Sequence, residues 1–459
     1  MLENVKRVHF IGIAGAGMRA VANVLVQKGY NVSGSDIRDS EVTKRFRAVD
    51  VPIFIGHDSK NIEGADVVVI SSAIPADNVE LMAAKQQHIP VLHRSDVLLS
   101  IMNWGKGIAV AGAHGKTTTT SMIGQVFEEA AMDPTIIIGG EVDYLHSNSK
   151  LGKGEYVIAE ADESDGSFLK LNPYIAIVTN IENDHMDHYG SMENILKAFQ
   201  VFLQKLDPLI GKAILCFDNE NIRNIAPHIG RNYISYGIST DADYNAKNIH
   251  YVKGLLNYEV EHNEKNLGMI RLQIPGRHNV LNSMAVVAVA MECGIPFAEI
   301  SSALYHFHGA KRRFQTKGRQ NDVWVVDDYA HHPTEINATL KAAKELESHR
   351  VICVFQPHRY TRTQLLQTEF SECFRYADTL VLTDVYSAGE KPIEGVSGEL
   401  IAKGVKKSTG KDSYYIPNKA DLPDFLATFV KPFDLVITMG AGDVYLAGEK
   451  LLDLLKEKK

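Results

Sequence analysis

The residues that could do chemistry come in clusters, and the sharpest is Gly112-Ala113-His114-Gly115-Lys116-Thr117-Thr118. Glycines ahead of a lysine and threonines, set between an apolar run and a helical pattern, are the makings of a phosphate loop. In such a loop backbone N–H groups and a helix N-terminus hold an anion. Lys116 would reach the β- and γ-phosphates, and the Thr117 hydroxyl would reach Mg²⁺. Position 110 is valine, so this is a shortened G-x-x-G-K-T loop. The plain alternative is a glycine-rich turn with a surface lysine; the strand before it and the helix after it favour the phosphate.

Two acidic clusters follow apolar runs. Glu160, Asp162, Glu163 and Asp165 close the run 156–160, and Glu182-Asn183-Asp184-His185-Met186-Asp187-His188 follows 175–179. Both fall at strand C-termini, where open α/β sheets place their ligands. Mg²⁺ takes oxygen ligands together with water and substrate phosphates, so a carboxylate near a phosphate loop reads as a magnesium ligand. Solvated acidic loops are one alternative. Zinc on His185 with His188 is another, but no convincing third and fourth ligand stands at suitable spacing.

A second nucleotide signal lies in Gly12-Ile13-Ala14-Gly15-Ala16-Gly17-Met18, where Gly15-x-Gly17-x-x-Ala20 fits the dinucleotide fingerprint and Asp36 ends the next strand. Alone it would suggest a dehydrogenase, which has no need of a triphosphate loop. Further on, polar segments at 327–333, 356–362, 384–390 and 440–443 each follow a strand pattern, as a single ligand-facing rim would. Arg359 and Arg362 suit a carboxylate, which arginine grips bidentately. His331 and His332 are, taken singly, as well explained as structural histidines. Lys311-Arg312-Arg313 is either a solvated linker or a source of cations for phosphate in the cleft between the second and third domains.

Strands alternate with helical patterns almost throughout, predicting α/β architecture with largely parallel sheets. We expect three domains: a Rossmann-like N-terminal domain (1–105), a central P-loop ATPase domain (106–312) and a Rossmann-like C-terminal domain (313–459). Strands are expected at 7–11, 31–34, 67–71 and 90–92, then 108–111, 156–160, 175–179 and 213–217, then 323–326, 351–355, 379–383 and 434–438. Residues 103–107 and the basic stretch 309–320 look like breaks, 232–274 like an antiparallel section, and 279–293 like a helix.

The whole chain sets limits on function. It has 459 residues, 45% hydrophobic and 23% charged, with a formal charge of −8, which excludes disordered, collagen-like and disulfide-scaffold classes. Nothing suggests a nucleic-acid or membrane-surface binder. No apolar run approaches membrane-spanning length. Four scattered cysteines, with no C-x-x-C pair, fit a reducing cytoplasm. Lys6-Arg7 and the apolar residues after them mimic a signal peptide, but the run is too short and leads into glycines.

In this order the motifs resemble the ATP-dependent Mur ligases of bacterial cell-wall synthesis. The resemblance covers essentially the whole chain: H-F-I-G-I-A-G-A-G-M, A-G-A-H-G-K-T-T-T-T, E-A-D-E-S-D-G-S-F, T-N-I-E-N-D-H-M-D, P-G-R-H-N-V-L-N, K-R-R-F, D-D-Y-A-H-H-P-T-E, Q-P-H-R-Y-T-R-T, D-V-Y-S-A-G-E and G-A-G-D. D-D-Y-A-H-H-P and P-H-R-Y-T-R resemble the alanine-adding branch and its near relatives. Ala113, Ala14 and Arg19 depart from its usual residues without removing a group the chemistry needs.

The resemblance implies a reaction in peptidoglycan precursor synthesis. L-alanine is joined to the lactyl carboxylate of UDP-N-acetylmuramate through an acyl phosphate, with ATP and Mg²⁺, and the third domain closes to exclude water. It implies ATP binding by 112–118, with Lys116, His185, Arg359 and Arg362 catalytic and Thr117, Glu160 and His185 around the metal. His278, Asn279 and Asn282 would stand on the adenine side, and Arg313 and Asp328 would approach ATP from the third domain. The UDP-sugar would be held by Gly12, Ala14, Gly15, Gly17, Met18, Asp36, Ser71, Ala73 and Ile74. His358, Arg359 and Arg362 would face the amino acid and the sugar's carboxylate. The chain would be a monomer or weak homodimer. Three other readings stay open: a recycling ligase that attaches a whole murein tripeptide, a nicotinamide-dependent oxidoreductase, and a nucleotide-driven switch.

Overall fold

A computed structural model describes residues 2, 4–346 and 350–457. In the first sheet β1 (Arg7–Ile11), β2 (Asn31–Asp36), β3 (Ile53–Ile55), β4 (Val67–Ile70) and β5 (Val91–His93) stand in the order β3-β2-β1-β4-β5, all parallel. The apolar run after Arg7 is thus a buried central strand, with Val8 opposite Val32 on one side and Val67 on the other. Strand order reverses at β1, so the loops after β1 and β4 flank the crevice where such sheets bind ligands. Beneath the crevice Glu80 is fully buried and takes hydrogen bonds of 2.6 Å from both Ser35 Oγ and Asn61 Nδ2, with His9 Nε2 at 3.5 Å. Burial alone would raise its pKa; His9, Ser35 and Asn61 hold it at about 2.

The second sheet has ten strands: β6 (Lys106–Ala111), β7 (Thr135–Val142), β8 (Ser147–Lys150), β9 (Tyr156–Glu160), β10 (Ile175–Val178), β11 (Lys212–Cys216), β12 (Tyr233–Gly237), β13 (Tyr244–Val252), β14 (Leu255–His262) and β15 (Lys265–Leu272). Their order is β15-β14-β13-β12-β11-β10-β6-β9-β7-β8. β6 lies between β9 and β10, parallel to both. The expected break at 103–107 is shorter than its composition suggested, because Lys106 and Gly107 already belong to β6. Lys253-Gly254 and Asn263-Glu264, all at positive φ, turn β13 into β14 and β14 into β15. Such two-residue turns match the twist of antiparallel hairpins.

The third sheet is β16 (Gln315–Gln320), β17 (Val323–Asp328), β18 (Arg350–Phe355), β19 (Thr379–Leu382), β20 (Tyr414–Tyr415) and β21 (Asp434–Met439), in the order β16-β17-β21-β18-β19-β20. Only β16 is antiparallel. Here the structure corrects the expected break at 309–320: half of it is an edge strand. Alternate residues of the central strands feed two cores. Val326, Cys353, Phe355 and Ile437 face one, and Val325, Ile352, Val354 and Val436 the other. Burial on both faces is why these strands read as continuous apolar runs.

The chain forms two compact units. One holds residues up to Asn248 with Glu259–Ile270 and Leu281–His306; the other holds Ile249–Tyr258, Arg271–Val280 and everything from Phe307. Among the described residues no helix is long and apolar enough to cross a membrane.

Candidate active site

In the first unit the turn from β6 into the helix Lys116–Glu129 is built on two glycines at positive φ, Gly112 at 134° and Gly115 at 85°. The end of β10 clamps it. Asn180 Oδ1 accepts the His114 amide at 2.8 Å, while Asn180 Nδ2 and Thr179 Oγ1 donate to the His114 carbonyl at 2.9 and 2.6 Å. Asn282 comes close enough that a Cβ on Gly115 would stand 2.5 Å from its Oδ1. Ala113 donates its amide to the Asn180 carbonyl, and Thr118 is buried in the first helical turn. The loop is therefore rigid, with no acid in the first turn of the helix, as anion binding at a helix N-terminus requires.

Lys116 Nζ donates to the Gly112 carbonyl at 2.5 Å, to the Ala113 carbonyl at 3.2 Å and to Glu163 Oε1 at 2.7 Å. Burial works against its charge, but the carboxylate of Glu163 more than offsets this and raises its pKa. Thr117 Oγ1 donates to Glu160 Oε2 at 3.3 Å, and the Gly139 amide donates to Glu160 Oε1 at 2.6 Å. Thr117 and Glu160 thus stand together as expected. His185, at φ 56°, instead lies beside Glu163 (3.6 Å) and Asp184 (3.5 Å). Burial alone would lower its pKa; Glu163 and Asp184 outweigh this and hold it above the ordinary histidine value.

A hydroxyl and a carboxylate next to a phosphate loop make an oxygen donor set that fits Mg²⁺, with phosphates and water completing it. Among the described residues no all-protein cage forms around Glu160 or His185. His188 is exposed, with its ring edge-on to Tyr189, which leaves the zinc alternative without support. His114 Nε2 lies 3.4 Å from Glu182.

The glycine loop after β1 is braced rather than open. Gly12 and Ile13 donate their amides to the Ser35 carbonyl, Gly15 donates to Gly12, and Asp36 Oδ2 accepts the Ala14 amide at 3.0 Å. Met18 is buried in the core. Ser71 through Ile74 form the facing turn, and a Cβ on Gly12 would stand 3.1 Å from Ile74 Cδ1; Ala73 is exposed at its tip. Gly17 lies against Arg94, which pairs with Asp162. Burial alone would raise the Asp162 pKa; Arg94 brings it down to about 2.

In the second unit the rim of the third sheet gathers His331, His358, Arg362 and Tyr386. The His331 and His358 rings are 5.7 Å apart, the His358 and Tyr386 rings stack at 5.8 Å, and Arg362 Nη1 meets His358 Nδ1 at 3.1 Å. Burial pushes the His331 pKa down to about 4 and the His358 pKa to about 3. Arg359 caps the next helix at φ 67° with its side chain exposed, and its amide donates to the Tyr386 carbonyl. Asp328 accepts the amides of Ala330 (2.7 Å) and Phe314 (2.8 Å) and is raised to about 6 by burial, against the nearby Arg313. His278 is lowered to about 4 by burial and then by Arg313. Asn279 donates to the Pro275 carbonyl at 2.7 Å.

Arg312 departs from the reading of 311–313 as a solvated linker or phosphate ligand. It donates to Asp327 (2.9 Å) and to the Gly440 carbonyl (2.6 Å), and it packs on Tyr329 and Tyr445. His332 caps the helix Pro333–Glu345, its Nδ1 accepting the Thr334 amide at 3.4 Å.

Four side chains that organise these sites were not singled out by sequence. Glu163 is one acid among four until the fold pairs it with Lys116. Arg94 and Asn180 carry no local signal. Glu335, which accepts the His331 and His332 amides and pairs with Arg313 at 3.5 Å, was within reach. It stands three residues after the cap, with proline at the first helical position, as in a capping box.

Three family models match the chain: "Mur ligase family, catalytic domain" over 7–104, "Mur ligase middle domain" over 110–290 and "Mur ligase, glutamate ligase domain" over 312–442. A UDP-N-acetylmuramate–L-alanine ligase of Pelotomaculum thermopropionicum is 48% identical over 459 residues, covering 100% of this chain and 99% of its own. One from Geotalea uraniireducens is 48% identical over 456 residues, 99% of each chain. A solved UDP-N-acetylmuramate–alanine ligase from Thermotoga maritima superposes with TM-score 0.85 at 30% identity, covering 99% of this chain and 100% of its own. A murein peptide ligase from Psychrobacter arcticus, at 23% identity and TM-score 0.73 over 98% of each chain, shares the fold. With matches over its whole length and the three-domain α/β architecture of these relatives, the chain belongs to the Mur ligase family.

Proposed function

We propose that this chain is an ATP-dependent ligase that joins L-alanine to the lactyl carboxylate of UDP-N-acetylmuramate in peptidoglycan precursor synthesis. The observation that carries this is full-length likeness, at 48% identity, to enzymes named for that reaction. The tripeptide alternative lacks such support, since the murein peptide ligase is only 23% identical. Domain limits near 105 and 312 go with this reading, as does a cytoplasmic location, with four free cysteines.

A carboxylate is a poor electrophile, so it must be activated before an amine can attack. The γ-phosphoryl of ATP passes to the lactyl carboxylate, giving an acyl phosphate and ADP. The neutral amine of alanine then attacks the acyl carbon, and the tetrahedral intermediate expels phosphate. The amides at the start of the helix Lys116–Glu129 hold the phosphates, and Lys116 stabilises the charge that spreads as the phosphoryl group moves. Thr117 and Glu160, with His185 and Glu163 nearby, would hold magnesium, which when bound supplies further positive charge to the phosphates. Arg359 and Arg362 grip the substrate carboxylates. The Gly12–Met18 loop, with Ser71 through Ile74 opposite, holds the UDP-sugar.

The test is ADP release with each component omitted in turn. It should require UDP-N-acetylmuramate, L-alanine and a divalent cation together. Oxidation or reduction of a nicotinamide cofactor with the same sugar would overturn the proposal.

A further inference from the structure

The loop after β9 has two faces with different partners. Glu160 and Glu163 turn to the phosphate loop, where Thr117 and Lys116 engage them. Asp162 and Asp165, each two residues further along, turn to the loops of the first sheet. Asp162 pairs with Arg94, and Asp165 Oδ2 accepts Ser72 Oγ at 2.5 Å with His93 Nε2 at 3.8 Å. Arg94 and Ser72 are not remote from the glycine loop. A Cβ on Gly17 would stand 3.1 Å from Arg94 Nη1, and Ser72 lies inside the turn whose Ile74 packs against Gly12. One short acidic loop therefore bears on both elements that the proposed function assigns to ligands.

Charge gives this arrangement a sign. Four carboxylates in the loop face two permanent cations, Lys116 and Arg94, so an anion arriving at either site meets net negative charge. A diphosphate at the glycine loop must share Arg94 with Asp162. Mg²⁺ brought in with a nucleotide would stand directly against Glu160, offset the charge of the acidic loop where it is nearest, and so leave Arg94 freer for that diphosphate. Linkage then requires the converse: a bound sugar nucleotide must favour the metal-bound nucleotide by the same factor.

We infer that Arg94–Asp162 and Ser72–Asp165 are positioning contacts that make nucleotide binding at the phosphate loop and sugar-nucleotide binding at the glycine loop favour each other. This rests on the proposed function. The experiment is calorimetric titration of UDP-N-acetylmuramate into the full chain, with and without Mg²⁺ and a non-hydrolysable ATP analogue. Wild type should bind the sugar nucleotide about fivefold or more tightly when the analogue is present. In Asp162→Asn and Arg94→Gln the ratio of the two affinities should fall toward one, and Arg94→Lys should restore part of it. A merely structural defect would weaken both titrations alike and leave the ratio unchanged. If Asp162→Asn does not fold, Ser72→Ala, at an exposed residue, reads the second contact by the same ratio. A wild-type ratio of one, or a full ratio surviving in the variants, overturns the inference and leaves the function standing. Failure of the wild type to bind UDP-N-acetylmuramate at all overturns the function, and this inference with it.

Discussion

Lys116 waits at the helix N-terminus with its ammonium tied to Glu163 and to two loop carbonyls, and it is the only charge the phosphate loop supplies. Lys116→Met keeps the apolar stem and removes that charge where it is needed most, as the γ-phosphoryl moves. ADP formation should fall by about 100- to 1,000-fold, while calorimetry should show UDP-N-acetylmuramate binding weakened far less. An equal loss of both would mean that the two ligands share one site. The histidines of the third-sheet rim answer to pH instead. His331 Nδ1 faces the Tyr329 carbonyl at 3.0 Å, which only accepts, so this nitrogen carries the proton. His358 Nδ1 faces the Arg362 guanidinium, which only donates, so that nitrogen is bare. Both rings are neutral when folded. For His331 the folded pKa of about 4 lies below the ordinary 6.5, so the unfolded chain binds the extra proton in between. Its contribution is complete above pH 6.5 and is lost as pH falls toward 4. Asp328 runs the other way, its contribution being lost as pH rises through about 6. It is common to wild type and His331→Gln, so their difference isolates the histidine. Urea midpoints should fall more steeply from pH 7 to pH 4.5 in wild type than in the variant; parallel curves would contradict this assignment.

At the scale of elements, the strand–glycine–helix turn was readable because everything that makes it is local: an apolar strand, two glycines and a helix start. Its tightness was not, because Asn282, Thr179 and Asn180 come from distant segments. Gly115→Ala tests both parts. It forces an alanine to φ 85° and sets a Cβ 2.5 Å from Asn282 Oδ1, which should destabilise the fold by about 1–3 kcal/mol and weaken nucleotide binding. Gly410→Ala, at φ 73° with open space around it, incurs only the left-handed strain and serves as the control in urea unfolding. Equal losses in the two variants would show that the loop is not crowded. β16 escaped notice for a different reason. Gln315–Gln320 has no apolar alternation; it is an edge strand, held by backbone pairing to β17 with a register shift between Thr316 and Gly318. Edge strands are commonly polar, which guards against stray pairing. Arg312 was misread for lack of the same long-range information, since its partners include Gly440 and Tyr445.

At the scale of the molecule, each sheet carries its motif residues just beyond strand C-termini: the glycine loop after β1, the phosphate loop after β6, and the histidines and arginines after β17 and β18. That regularity made the α/β class and the order of motifs legible, because a strand end marks itself by the change from apolar to polar or glycine residues. The breadth of the ten-stranded sheet was not legible, nor was the way Ile249–Tyr258 and Arg271–Val280 join the residues from Phe307 onward. Both depend on pairings between segments far apart in sequence. The central claim, that alanine is the amine this chain activates a UDP-sugar to receive, is tested most directly by acceptor competition. ADP release and product mass would be followed with UDP-N-acetylmuramate, ATP and Mg²⁺, offering L-alanine or the murein tripeptide. The account predicts a higher kcat/KM for L-alanine, with ADP formed in step with the alanyl product. Preference for the tripeptide, or ADP formed without any amide product, would contradict it.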